Sequence, residues 1–280
     1  MKEISAEKIT AAVKQMCMDA NFYLGQDVAD RLKECRETEE SPLGRQIIEQ
    51  ILENAEIAAN EKMPMCQDTG VAIFFLELGQ DVHVTGGGLV EAINEGVRQG
   101  YKEGFLRKSI VKDPFDRKNT GDNTPAIIHT EIVPGDNLKI TIAPKGGGSE
   151  NMSWVKMLPP AAGVKGVSDL IVQEVIKAGA NPCPPIVVGV GIGGNLEKSA
   201  LLAKKALLRK TAAPNPDRQL AEMEADILKR INDGGVGPQG FGGRTMALAV
   251  QIEAAPCHIA SLPVAVNVQC HASRHKEIVL

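Results

Sequence analysis

The sequence predicts a mixed α/β fold of the α+β kind: a helical N-terminal layer followed by a mixed-sheet domain with intervening helices. Three observations predict it. Apolar residues over the first 60 positions recur at helical spacing, the pattern shifts at Val71 to short apolar runs of strand length, and beyond Val164 such runs alternate with amphipathic segments.

Along the chain, Ile9, Val13, Met16 and Cys17 fall on one helical face, which makes Cys17 a core residue. Cys35 sits in the charged segment Arg31 to Glu37 and reads as part of an exposed helix face. Ser41-Pro42 is an N-cap followed by proline at the first helical position, opening a helix through Leu43, Ile47, Ile48, Ile51, Leu52 and Ala55. Val71 to Leu76 is a strand. Leu89 to Tyr101 has helical spacing. Ala126–Val133 and Leu138–Ala143, joined by Pro134-Gly135-Asp136-Asn137, predict a β-hairpin. Helices follow over Val164–Ala178, Glu197–Arg209 and Arg218–Ile231, with strands at Ile186–Val190, Thr245–Glu253 and Pro263–Val268. Neither a low-complexity linker nor a repeat interrupts the chain, so 1–280 is read as one structural unit, with 1–60 a helical subdomain and 61–280 the mixed α/β part.

With 280 residues, 43% of them hydrophobic, the chain can bury a substantial core without disulfide staples. Its start lacks the apolar stretch of a signal peptide, and no later run approaches the roughly 20 apolar residues of a membrane span, so a cytoplasmic location and no membrane partner are expected. Six cysteines in that setting read as thiols. A net charge of −4 with only 3% aromatics argues against a nucleic-acid partner.

The chemistry concentrates at three cysteines in turn-like or polar segments: Cys66 in Pro64-Met65-Cys66-Gln67-Asp68-Thr69-Gly70, Cys183 in Asn181-Pro182-Cys183-Pro184-Pro185, and Cys270 in Val268-Gln269-Cys270-His271-Ala272. Prolines beside Cys66 and Cys183 stiffen the backbone that presents the thiol. Separations of 117 and 87 residues exclude a zinc finger or a ferredoxin-type run, which draw ligands from local clusters; a shared metal would be assembled by the fold, and unrelated thiols are the plainer reading of spacing alone. Lys145-Gly146-Gly147-Gly148-Ser149-Glu150-Asn151 is an anion-nest candidate or a flexible loop. Gly189-Val190-Gly191-Ile192-Gly193-Gly194 departs from the dinucleotide fingerprint, and the phosphate-binding loop with Gly-Lys-Ser/Thr is absent. Gly234 to Thr245 is too glycine-rich for a helix or strand and reads as a shaped loop. Singly, Asp68 reads as a turn cap, His258 as a core histidine, Cys257 as a small buried hydrophobe and Arg107 as a solvated charge.

Taken together, the Met65–Gly70 loop, Arg107, Pro144–Asn151, Asn181–Pro185, the glycine-rich loop to Arg244, and His258 with Cys270 resemble the iron–sulfur (class I) fumarate hydratases, in order, over Met63 to His271. The fold implied is that family's N-terminal-domain type. The resemblance implies that Cys66, Cys183 and Cys270 hold a 4Fe-4S cluster whose fourth iron stays open as a Lewis acid. It implies that Gln67, Arg107 and Gly147 bind a small dicarboxylate, and that Asp68 and His258 form an acid/base pair. Single-chain members are about twice as long, so a chain that stops at Leu280 implies an α subunit completed by a separate β subunit in an α2β2 assembly. Fumarate hydration to (S)-malate is the expected reaction, with the two-subunit L-tartrate dehydratase as the enzymatic alternative and a non-catalytic iron–sulfur sensor or binding protein as the alternative of another class.

Overall fold

The computed structural model describes residues 2–280. In chain order the elements are β1 (Lys2–Ser5), α1 (Ala6–Phe22), α2 (Gln26–Thr38), α3 (Pro42–Glu61), β2 (Val71–Gly79), β3 (Val82–Thr85), α4 (Leu89–Glu103), β4 (Ile127–Val133), β5 (Leu138–Lys145) and the single turn α5 (Gly147–Glu150). They continue with β6 (Trp154–Leu158), α6 (Gly163–Ala178), β7 (Ile186–Gly194), α7 (Leu196–Ala206), α8 (Arg218–Asn232), β8 (Ala247–Cys257), β9 (Leu262–Gln269) and β10 (Lys276–Val279). The mixture of helices with sheets of both parallel and antiparallel pairs is the predicted α+β fold. Helix starts are where the sequence encodes caps: Ser5 Oγ accepts from Lys8 N, Ser41 Oγ from Gly44 N, Asn195 Oδ1 from Lys198 N, and Asp217 Oδ1 from both Gln219 N and Leu220 N. Each such cap stabilises its helix by about 1 kcal/mol.

The chain divides into two compact units, each built from separate stretches of sequence, and one of the divisions falls inside α3. The first comprises Met1–Leu24, Asn54–Gly147 and Arg274–Leu280. Its four-stranded sheet has the order β10-β5-β2-β4, and α1 and α4 pack with one face of it around Ile9, Val13, Phe74, Leu76, Ile93, Val97, Ile140 and Ile142. Gly96 and Gly100 let α4 lie tight on α1, since a Cβ on either would stand 2.8 Å from a main-chain oxygen of that helix.

Here the structure corrects the hairpin expectation. β4 and β5 do not pair; β2 lies between them, parallel to β4 and antiparallel to β5. Val71-Ala72-Ile73-Phe74-Phe75-Leu76 is apolar on both faces and takes the central place where both faces are covered. The Pro134–Asn137 segment then bridges two strand spacings, about 9.6 Å. Its main chain bonds to the end of β2 instead of closing a turn: Gly79 N donates to Asn137 O and Asp81 N to Gly135 O.

The second unit, Gly25–Glu53 with Gly148–Ser273, has the sheet order β6-β9-β7-β8. Alternate residues Ile186, Val188 and Val190 of β7 face Ile171 and Val175 of α6 and Ile227 and Ile231 of α8. On the opposite face Gly189 and Gly191 carry no side chain because α7 presses on them: a Cβ there would meet Ala203 O at 2.2 Å and Ser199 O at 2.0 Å. The glycine pattern that brushes against a dinucleotide fingerprint therefore serves helix-on-strand packing within β7.

Candidate active site

In the first unit the Met65–Gly70 loop is built from both ends. Met65 N donates to Asn21 O (3.0 Å) and Met65 O accepts from Asn54 Nδ2 (2.8 Å). At the other end Tyr101 Oη donates to Thr69 O (3.1 Å) and Gly70 O (3.0 Å), Asn123 Nδ2 donates to Gly70 O (3.2 Å), and Asn123 Oδ1 accepts from Ser109 N (2.7 Å). Burial pushes the Tyr101 phenol pKa up, with Cys17 and Asp68 adding to the rise and Arg274 opposing it, so Tyr101 is a neutral donor at ordinary pH. Gly70 has φ +75°, and a Cβ there would stand 2.6 Å from the Lys145 carbonyl. Between these anchors Cys66 is half-buried and Gln67 exposed.

Asp68 is the node of the loop. Oδ1 accepts from Gly70 N (3.0 Å) and from Ser109 Oγ (3.4 Å); Oδ2 accepts from Gly147 N (2.8 Å). The glycine-rich Lys145–Gly148 turn thus presents an N–H to a carboxylate, as a nest should, and that carboxylate is Asp68. Arg107 comes to the same place through its main chain, whose carbonyl accepts from Thr69 Oγ1 (3.1 Å); its side chain is exposed. Arg274 Nη2 donates to Asp68 O at 2.6 Å from a side chain only 3% exposed.

In the second unit Cys183 and Cys270 share one end of the sheet. Cys270 directly follows β9, Cys183 stands three residues before β7, and these antiparallel neighbours pair Val187 with Gln269. Cys183 is exposed and has φ +56°, a left-handed conformation costly for a non-glycine residue. Its carbonyl accepts from His271 N (3.3 Å), and His271 Nδ1 lies 3.1 Å from the same oxygen and 3.2 Å from Gln239 Nε2. Gln239 N in turn donates to Pro184 O (2.9 Å). The glycine-rich loop therefore ties the Cys183 turn to the Cys270 turn. That loop is itself held by buried Glu39, whose carboxylate accepts from Ser41 N (3.0 Å), Arg244 N (3.0 and 3.1 Å) and Thr245 N (2.7 Å).

His258 stands elsewhere. It lies in the exposed turn between β8 and β9, its Nδ1 accepting from Ala260 N (3.1 Å). β9 runs its full eight residues from that turn to Cys270, roughly 27 Å at about 3.4 Å per residue. His258 is thus not a core histidine, and it is at the opposite end of its sheet from Cys183 and Cys270.

All six cysteines are thiols, and their surroundings sort them. Cys17 is fully buried, and burial pushes its pKa up. Cys35 is buried as well, in contrast to the exposed face expected from its charged neighbours: it lies on the α2 stripe with Val28 and Leu32, and burial, against the opposing Arg31, raises its pKa. Cys257 is exposed in the β8–β9 turn, not a buried hydrophobe. Cys66, Cys183 and Cys270 are accessible: Cys66 directly follows the anchored Met65, the Cys183 main chain is held by Ala180 O and His271 N, and Cys270 directly follows β9.

Comparison with known proteins shows the family. The model of the family described as Fumarate hydratase (Fumerase) matches residues 10–279. The chain belongs to that family. Within the wider Fumerase relationship, a Methanocaldococcus jannaschii protein provisionally named L(+)-tartrate dehydratase subunit alpha is 41% identical over 273 residues, 95% of each chain. The L(+)-tartrate dehydratase subunit alpha of Escherichia coli strain K12 and that of Shigella boydii serotype 4 are each 32% identical over 277 residues, 98% of this chain and 91% of theirs.

For a Fumerase chain the donor set can be tested against an iron–sulfur cluster. Among the described residues no three His, Cys, Asp or Glu side chains form a group able to hold a single metal ion. A cuboidal cluster asks for something different: thiolates at separate corners, each on its own iron, on backbone that does not yield. Within each unit the donors are of the right kind: in the first an accessible Cys66 thiol and a buried Arg274 guanidinium whose Nε and Nη1 have no protein acceptor, and in the second two accessible thiols, Cys183 and Cys270, at one end of the sheet. Sequence reasoning missed Tyr101, Ser109, Asn123, Gln239, His271 and Arg274. Gln239, His271 and Ser109 carried a signal, by lying in or beside segments already marked.

Proposed function

We propose that this chain is the α subunit of an iron–sulfur hydro-lyase acting on a four-carbon dicarboxylate, hydrating fumarate to (S)-malate, with its active site completed by a separate β subunit. The observation that carries this is the anchored Cys66-Gln67-Asp68 loop, in which a thiol, an exposed amide and a carboxylate fixed by the Gly70 and Gly147 N–H groups follow one another directly. The family match over residues 10–279 supports it.

In this reading Cys66, Cys183 and Cys270 hold a 4Fe-4S cluster. When bound, the cluster supplies an open Lewis-acidic iron that eases C–O bond making and breaking. Arg107, whose main chain meets the loop and whose side chain is exposed, and Gln67 bind the substrate carboxylates, Arg107 by a charge-assisted pair. Gly147 offers exposed main chain for the substrate to approach closely while its N–H holds Asp68. Asp68, already an acceptor at both oxygens, takes or orients the proton of the transferred hydroxyl. His258 is its acid/base partner. Because His258 stands a full strand length from Cys183 and Cys270, a second copy of the chain delivers it, which an α2β2 assembly provides.

The names of the relatives favour a second reading, L-tartrate dehydration, in which the same residues act on a substrate with one more hydroxyl. The test is anaerobic reconstitution of the chain with and without a coexpressed β subunit. About four irons and four sulfides per chain, and turnover only when β is present, are expected. No uptake, or hydratase activity without β, would overturn the proposal. The ratio of kcat/KM for (S)-malate and L-tartrate then decides between the two substrates.

A further inference from the structure

Arg274 is 3% exposed, yet it forms no ion pair among the described residues. A guanidinium remains charged at any pH a protein meets and has five N–H donors to satisfy. One nitrogen, Nη2, donates to Asp68 O; Nε and Nη1 are buried without a protein acceptor. The carboxylate of Asp68, the residue whose carbonyl it meets, is engaged by Gly70 N, Gly147 N and Ser109 Oγ. Burying a cation in this way is strongly unfavourable unless negative charge is supplied. The residue Arg274 grips lies two positions after Cys66, and Arg274 itself follows Cys270 by four.

We propose that Arg274 is the buried counter-cation of the anionic group held at Cys66. It is a positioning residue: one nitrogen fixes the Asp68 main chain, and the remaining donors offset the negative charge of the thiolates and the inorganic sulfide. This rests on the iron–sulfur reading of the site and adds to it the residue that tunes the cluster's charge.

The experiment compares wild type, Arg274→Met and Arg274→Lys, each as the apo chain and after anaerobic reconstitution. Thermal midpoint, the rate of iron release to an excess of chelator, and the cluster's reduction potential are measured. For Arg274→Met the apo midpoint should be unchanged or higher, because an unpaired buried charge is gone. The reconstituted midpoint should fall, iron release should be about 10-fold faster, and the potential should move negative, since a nearby positive charge favours the reduced cluster. Arg274→Lys should restore most of the potential. Equal destabilisation of apo and reconstituted forms, or an apo Arg274→Met that does not fold while Arg274→Lys does, would assign Arg274 to the fold alone and overturn the proposal. So would unaltered release and potential. Failure of wild type to take up iron and sulfide overturns the cluster reading itself, and is recognised before any substitution is compared.

Discussion

Replacing Gly70 by alanine tests whether the Asp68 loop is as tightly built as its contacts imply. The substitution has two separable costs. At φ +75° a Cβ meets its own backbone, which costs about 1–2 kcal/mol. At this position the Cβ also stands 2.6 Å from Lys145 C and O and 2.9 Å from Lys145 N, atoms of a paired strand that cannot step aside, and overpacking of this kind costs about 1–3 kcal/mol. The sum is about 2–5 kcal/mol. Gly121 in the same unit isolates the first cost, because its φ is +87° and nothing lies within 4 Å of a Cβ placed there. Urea denaturation of the apo chain, followed by far-ultraviolet circular dichroism, should therefore show Gly121→Ala losing about 1–2 kcal/mol and Gly70→Ala losing about 1–3 kcal/mol more. Equal losses for the two variants would refute the claim that the loop is pressed against β5.

Three further outcomes follow from the geometry. Glu39→Gln should cost about 1–3 kcal/mol near neutral pH, because the carboxylate that receives the Ser41, Arg244 and Thr245 N–H groups is weakened. Burial alone would raise the Glu39 pKa, but hydrogen bonds from Thr245, Ser41 and Arg244 outweigh it and the pKa is lowered. Its contribution is therefore complete above the ordinary glutamate value of 4.5 and is lost as pH falls through the lower folded value, so wild type and variant should converge below about pH 4.5 in denaturation series. Gly191→Ala places a Cβ 2.0 Å from Ser199 O and should cost about 3 kcal/mol or more, or leave no soluble protein; a near-neutral result in the same urea assay would contradict the packing of α7 on β7. Single alanine variants at Cys17, Cys35 and Cys257 should take up iron like wild type, whereas those at Cys66, Cys183 and Cys270 should not, as measured by iron and acid-labile sulfide analysis.

What the sequence made legible was local. Ser41-Pro42, the run Val71–Leu76 and the alternating residues of β7 each announce an element through periodicity or a cap, and each is found in place. The pairing of β4 and β5 was not legible, since a proline-glycine turn between two strands says nothing about a third strand inserting between them. Cys35 was misread because its neighbours in sequence are charged, while its neighbours on the helix stripe, Val28 and Leu32, are apolar. At the site, the loops bearing Cys66, Cys183 and Cys270 stood out through proline, glycine and polar residues crowded into turns. The side chains that anchor them did not. Tyr101 stood only as the last residue of a helical run, and nothing marked Asn123 or Arg274, because each acts through a partner far away in sequence: 32 residues for Tyr101 with Thr69, 53 for Asn123 with Gly70 and 206 for Arg274 with Asp68.

The Glu39 clamp bears on the order in which the molecule comes into being. Its acceptor is made early in synthesis, and its donors, the Arg244 and Thr245 amides, follow 205 and 206 residues later. A nascent chain emerges at about 5–20 residues per second, so Glu39 waits on the order of ten seconds or more for its partners. Contacts this distant in sequence also bring a large loop-closure entropy and form late. The glycine-rich loop bearing Gln239, and through it the registration of the Cys183 turn with the Cys270 turn, is thus among the last parts of the chain to settle. On the proposed iron–sulfur reading, iron and sulfide would meet a settled pairing of the Cys183 and Cys270 turns only after translation has passed residue 270.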